Sequence, residues 1–170
     1  MLRLLYRIKL EREIMRVGKF PEHIVVVCQN LGKRFGEFVT WCERFGVREL
    51  TICSREAMEL SFRSEKVKIN FVNFSGKEEI VKAIRRIAEK ALKGEIRVED
   101  IDEKLFESFL SLNSQPDLII KAGKEIPDFL IWQSVYSELL FTDVDFDSIR
   151  YLDFLRIIRE YQRRERRYGR

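Results

Sequence analysis

The run His-Ile-Val-Val-Val-Cys at residues 23–28 constrains the fold more than any other stretch of this chain. β-Branched residues follow one another with no polar alternation. That pattern belongs to a strand buried on both faces, as in the interior of a parallel sheet. Parallel neighbours cannot be joined by tight hairpins, so the rest of the chain must supply crossover helices. It does. After the loop Asn30–Arg34, the residues Phe38, Trp41, Cys42 and Phe45 recur at helical spacing up to Gly46.

The unit repeats. Residues 49–53 and 67–74 read as strands, and Phe71 and Phe74 as core positions in the second of them. Ile80, Val81, Ile84, Ile87, Ala88 and Ala91 form one helical stripe that ends at Gly94. A short helix near 102–110, a strand at 116–121 and a helix from Phe129 to Leu139 are expected next. The last helix is expected over 147–166, with Tyr151, Leu155, Ile158 and Tyr161 inward. At the other end, residues 2–17 read as an amphipathic helix with Leu2, Leu5, Tyr6 and Ile8 or Leu10 on one side. The fold class is therefore α/β, a mostly parallel central sheet flanked by helices. With 170 residues it makes one domain, 1–170, opened by a helical segment at 1–18 and closed by a helix and basic tail at 147–170.

Charge narrows the partners. The net charge is +4, and the last ten residues hold five Arg and one Glu, so the body of the chain is neutral. Such a tail suits a phosphate-bearing ligand or an acidic surface, although a solvated helix end is the plainer reading. A neutral body argues against a nucleic-acid binder. Cys28, Cys42 and Cys53 fit neither a metal pattern nor a disulfide framework and read as buried thiols of a reducing compartment. No apolar run approaches the roughly 20 residues needed to span a bilayer. The N-terminal stretch does not read as a signal peptide, and a cytoplasmic protein, at most peripheral to a membrane, is expected.

Ligands of such sheets sit at the carboxyl ends of the strands, which directs attention to loops 29–35, 54–58, 73–77 and 121–127. Gly32-Lys33-Arg34 is a candidate anion loop at a helix start. His23, the single histidine, precedes the first strand and reads as structural.

One segment carries a family resemblance. PDLIIKAGKEIPDFLIWQSVYSELLFTDVDF, residues 116–146, resembles the C-terminal signature of the cis-prenyltransferases, the undecaprenyl diphosphate synthase family. PEHIVVVCQNLGKRF (21–35), FGVRELTICS (45–54), KINFVNFSGKEEIVKAIRRIAEKA (68–91) and the closing YQRRERRYG (161–169) resemble further family stretches. The resemblance implies a trimmed version of that fold. It implies chemistry in which isopentenyl diphosphate is condensed onto an allylic diphosphate with Mg²⁺.

Three departures shape the expected role. The family's catalytic Asp falls on Gln29, so no catalytic residue is assigned. A family Arg falls on Lys121, and the stretch after it is shortened to Ile126-Pro127-Asp128. Between Met58 and Lys68 stand about ten residues where relatives carry a long piece of tunnel wall. The Arg167-Tyr168-Gly169 end matches the family's RxG motif. Loss of the Asp with retention of RxG is similar to the non-catalytic, Nogo-B-receptor-type subunit of heteromeric cis-prenyltransferases. The resemblance then implies a catalytic partner subunit in a heterodimer or heterotetramer, with Arg167, Gly169 and Lys121 on diphosphate in trans. It also implies Mg²⁺ only in the assembled complex and membrane contact through the product only. Glu138 is the expected metal residue, and Trp132, Tyr136 and Phe141 the expected interface. The alternative is a self-sufficient short-chain cis-prenyltransferase acting as a homodimer, with Glu56 or Glu138 replacing the lost acid.

Overall fold

A computed structural model describes residues 2–56, 63–125, 127–143 and 146–164. Five strands form one sheet: β1 (His23–Val27), β2 (Glu49–Cys53), β3 (Lys68–Val72), β4 (Leu118–Ala122) and β5 (Glu138–Thr142). Their order is β3-β2-β1-β4-β5, and every neighbouring pair is parallel. The strand named first by the sequence is the centre of the sheet, and all five of its residues are buried.

Alternation along the central strands divides the core in two. Ile24, Val26, Leu118 and Ile120 face one layer; Val25, Val27 and Ile119 face the other. The first layer is built by α1 (Leu2–Val17), α2 (Phe35–Arg44) and α5 (Tyr151–Arg163). Its centre is aromatic: Phe154 is fully buried, with Phe38, Trp41 and Phe45 at ring distances of 5.6, 5.9 and 5.4 Å. The second layer holds α3 (Gly76–Leu92), a short 3₁₀ turn at Val98–Asp100, α4 (Glu103–Ser108) and the chain around Phe129 and Leu130. Cys42 and Cys53 are buried and Cys28 half-buried, and burial pushes the thiols of Cys42 and Cys53 up, away from reactivity.

Four expectations are corrected. First, the helix expected over Phe129–Leu139 is a chain of turns followed by β5. Leu130 has a φ of 51°, the left-handed region that no continuing helix tolerates. Gln133 is buried and donates to the Glu79 carboxylate at 3.2 Å, which fixes this turn against α3. The Leu-rich Glu138–Thr142 stretch has good helix propensity, yet the open edge of β4 claims it as a strand.

Second, the α3 stripe splits. Ala83 and Ile87 are buried beside Glu79, whereas Val81 and Ile84 are exposed. Third, α1 turns Leu10 and Ile14 inward and leaves Leu5, Tyr6 and Ile8 exposed, so its apolar residues lie on two sides rather than one. Fourth, α5 starts four residues later than expected because Arg150 and Asp153 cap it there.

Candidate functional site

The strand order reverses between β1 and β4. The chain leaves β1 toward β2 on one side and returns to β4 on the other. Splayed connections at such a point leave a crevice at the carboxyl edge. A cleft of about 500 Å³ lies there, lined by Cys28 and Gln29 after β1, Ser54, Arg55 and Glu56 after β2, and Lys121, Ala122 and Gly123 of β4 and its exit, with Phe129 closing one wall.

Local bonds hold this rim. The backbone N–H of Cys28 donates to the carbonyl of Cys53 at 3.2 Å, extending the β1–β2 pairing to the cleft edge. The buried Ser54 hydroxyl donates to the Gln29 carbonyl and accepts from the Glu56 N–H, each at 3.2 Å. One hydroxyl thus ties the exits of two strands and places Gln29 beside Glu56. Lys121 donates from Nζ to the carbonyl of Ala122 at 2.7 Å, which holds its ammonium at the end of β4.

Arg55 is the second cation of the cleft. Its guanidinium donates to Asp128 Oδ2 at 2.9 Å, lies 3.6 Å from Glu78 Oε2 and stands over the Phe129 ring at 5.5 Å. The side chain is 54% exposed, so these ion pairs are worth at most about 1 kcal/mol. An entering phosphate can therefore take over the guanidinium at little cost, and its fork matches phosphate oxygens. Two cations and the Glu56 carboxylate line the cleft, with Asp128 and Glu78 held on Arg55 at its edge, so an anionic ligand would compete with those carboxylates for the guanidinium.

The loop at 73–77 is closed by the chain itself. Ser75 accepts from the Glu78 N–H at 3.1 Å, the Glu78 carboxylate accepts from the Ser75 N–H at 2.7 Å, and the Gly76 N–H donates to the carbonyl of Asp128. Gly32-Lys33-Arg34 does not contribute to the cleft lining among the described residues. Arg34 instead pairs with Glu37 and lies over Trp41 at 5.7 Å.

The remaining predicted residues are dispersed. Glu138 stands at the amino end of β5, in register with Leu118, at the end of the sheet opposite the cleft. Its carboxylate lies 3.6 Å from Arg164. The fold therefore keeps Glu138 away from Gln29 and Lys121 of the same chain. Among the described residues no cluster of three or more His, Cys, Asp or Glu could hold a metal. Trp132, Tyr136 and Phe141 are 36%, 47% and 42% exposed, so each remains open to a neighbouring molecule. Arg167 and Gly169 lie outside the described residues. His23 is buried at the amino end of β1, where Nε2 meets Thr51 Oγ1 at 2.8 Å, a structural placement far from the cleft. The role of Arg55 as a cleft cation was missed, although its position just past a strand's carboxyl end was the available signal.

The sequence pattern of a family described as putative undecaprenyl diphosphate synthase matches residues 52–169. A tritrans,polycis-undecaprenyl-diphosphate synthase (geranylgeranyl-diphosphate specific) of Pyrococcus abyssi is 42% identical over 168 residues, covering 88% of this chain and 64% of the relative. The Methanocaldococcus jannaschii protein of the same description is 48% identical over 109 residues, 58% of this chain and 39% of its own length. The chain thus spans roughly half the length of the relatives it matches. A crystal structure of lavandulyl diphosphate synthase from Lavandula x intermedia superposes with a TM-score of 0.72 at 19% identity, covering 89% of this chain and 99% of that one. A probable undecaprenyl diphosphate synthase from Campylobacter jejuni gives 0.67 at 20% identity, covering 89% and 100%. With the fold matched by these structures and the sequence by these relatives, the chain belongs to the cis-prenyltransferase, or undecaprenyl diphosphate synthase, family.

Proposed function

We propose that this chain condenses isopentenyl diphosphate onto an allylic diphosphate, with the diphosphate seated in the cleft between the exits of β1, β2 and β4. The observation that carries this is the cleft's position and charge: a crevice at the sheet's switch point with Arg55 and Lys121 on its rim. The descriptions of the relatives favour a self-sufficient synthase, here short-chain and homodimeric, with geranylgeranyl diphosphate as the allylic substrate to try first.

Mg²⁺ is the metal the family implies. Mg²⁺ sites are commonly made of one or two carboxylates together with substrate phosphates and water. Glu56, which shares the cleft lining with Gln29, supplies a carboxylate of that kind. When bound, the ion supplies charge neutralisation on the departing diphosphate. The chain's own residues supply the rest. Arg55 exchanges Asp128 for a phosphate oxygen, Lys121 adds a point charge from the β4 side, and Phe129 keeps one wall apolar for the prenyl chain.

A second reading makes the chain a non-catalytic subunit that completes the site of a full-length partner. Gln29 favours it, because an amide offers Mg²⁺ no charge. Turnover separates the two. The purified chain is incubated with Mg²⁺, labelled isopentenyl diphosphate and geranylgeranyl diphosphate. Product from the lone chain, lowered at least tenfold in Glu56→Gln and raised in Gln29→Asp, establishes the self-sufficient synthase. No product alone, with activity gained on adding a family member that carries the Asp, establishes the subunit. No product under either condition, with no binding of either diphosphate, removes both.

A further inference from the structure

The two cations of the cleft are held in different ways. Lys121 rests on a backbone carbonyl, that of Ala122. Arg55 rests on acids: its guanidinium donates to Asp128 Oδ2 at 2.9 Å and lies 3.6 Å from Glu78 Oε2. Both acids are anchored at the start of α3. The Glu78 carboxylate accepts the Ser75 N–H at 2.7 Å, and the Asp128 backbone carbonyl accepts the Gly76 N–H. Pro127, with its ring-locked φ, stiffens the backbone on the other side of Asp128. The acids are therefore fixed points, and the long, flexible arginine is the part that can swing. Arg55, Asp128 and Glu78 are 54%, 47% and 63% exposed, so the ion pairs are weak enough to exchange. A weak partner within the same chain still competes, because it acts at an effective concentration on the order of millimolar.

We propose that Asp128 is a built-in competitor for the Arg55 guanidinium, which holds down the cleft's affinity for diphosphate so that the released product can leave. The inference rests on the seating of diphosphate proposed above and adds a route of release to it. In that reaction each condensation breaks the allylic carbon–oxygen bond, forms a carbon–carbon bond with loss of a proton, and leaves one inorganic diphosphate in the cleft. That anion must go before the next condensation. With Arg55 and Lys121 both committed to it, it would be gripped from the β2 exit and from β4. Asp128 offers the guanidinium another anionic acceptor at ordinary hydrogen-bond length. Arg55 can then let go of a phosphate oxygen without being left unpaired. Glu78 plays a lesser part. It lies beyond hydrogen-bond distance of Arg55 and is occupied in capping α3, so it contributes field rather than exchange.

The test is isothermal titration of the purified chain with inorganic diphosphate, without added metal, so that the chain's own cations are read. Asp128→Asn keeps the shape of the side chain and the carbonyl contact with Gly76 while removing the charge. It should tighten the dissociation constant about two- to fivefold, the range an exposed ion pair supports. Asp128→Ala should do the same, with thermal melting to verify that both variants stay folded. Arg55→Gln should weaken binding, and in that background Asp128→Asn should gain less, because no guanidinium is left to release. Unchanged or weaker binding by folded Asp128→Asn overturns the proposal, since the acid would then be idle or would orient Arg55 for the ligand. An equal gain with and without Arg55 also overturns it, leaving only plain repulsion between carboxylate and ligand. Failure of the seat itself reads differently. If the unmodified chain does not bind diphosphate, or Arg55→Gln binds it as tightly, the cleft reading falls and takes the competitor with it.

Discussion

Gly32 and Gly46 make a controlled pair for testing how tightly the cleft's first loop is held. Both adopt left-handed backbone, with φ of 65° and 75°. An alanine at either site meets the same conformational penalty, about 1–2 kcal/mol. Their surroundings differ. A Cβ at Gly46 meets nothing within 4 Å. At Gly32 it falls on the Cα and carboxylate of Asp147, well inside van der Waals contact. A backbone atom cannot swing aside as a side-chain tip can, so either the 146–148 turn or the loop after β1 must move. Overpacking of this kind costs about 1–3 kcal/mol beyond the backbone term. Gly32→Ala should therefore lose about 1–3 kcal/mol more than Gly46→Ala in urea unfolding, at unchanged m value. Gln29 lies three residues before Gly32, so a displaced loop should also weaken diphosphate binding, while Gly46→Ala leaves it intact. Equal stability losses in the two variants would refute the close approach of the loop to residue 147.

Two further outcomes follow from the core. Phe154→Ala should destabilise by about 3–5 kcal/mol in chemical denaturation, because the ring is fully buried among Phe38, Trp41 and Phe45. Burial holds His23 below its ordinary pKa of 6.5, so below 6.5 the unfolded chain binds the extra proton first; as far as this group decides, thermal midpoints should begin to fall as pH drops through about 6.5, and lose that fall in His23→Gln. The depressed carboxylates, Glu49, Glu78 and Asp153 among them, lose their stabilising contribution only as pH falls from about 4.5, below the onset of the His23 effect.

The sheet was legible because its central strands carry their own evidence of burial. Val25 and Val26 face opposite layers, yet both are apolar, which only a doubly covered strand requires. β5 was not legible for the complementary reason. It is an edge strand covered unevenly, with Leu140 buried and Phe141 exposed, and its leucines signal helix locally. The cleft's location followed from topology alone, but its second cation did not. Arg55 falls in a loop the topology singled out, but only the packing of Phe129 and Asp128 around it shows where its guanidinium points. The two-sided α1 is a failure of periodicity reading. Apolar residues on opposite sides cancel any single stripe, and which side enters the core depends on α5.

The amide at Gln29 is decisive only if the metal must be held from β1. The strand pairing argues that it need not be. β1 and β2 leave the sheet in register, Val27 beside Cys53, and the Ser54 hydroxyl binds the backbone of both exits. A carboxylate after β2 therefore faces the same crevice as one after β1. Charge on the rim points the same way. With Arg55 and Lys121 lining the cleft, a bound diphosphate would meet a cation from the β2 exit and one from β4, and a metal would need only one further acid from the chain. Among the described lining residues of the cleft, Glu56 is the one carboxylate. Removing its charge while keeping its shape tests whether the position of the carboxylate, or only its presence, is what this fold requires.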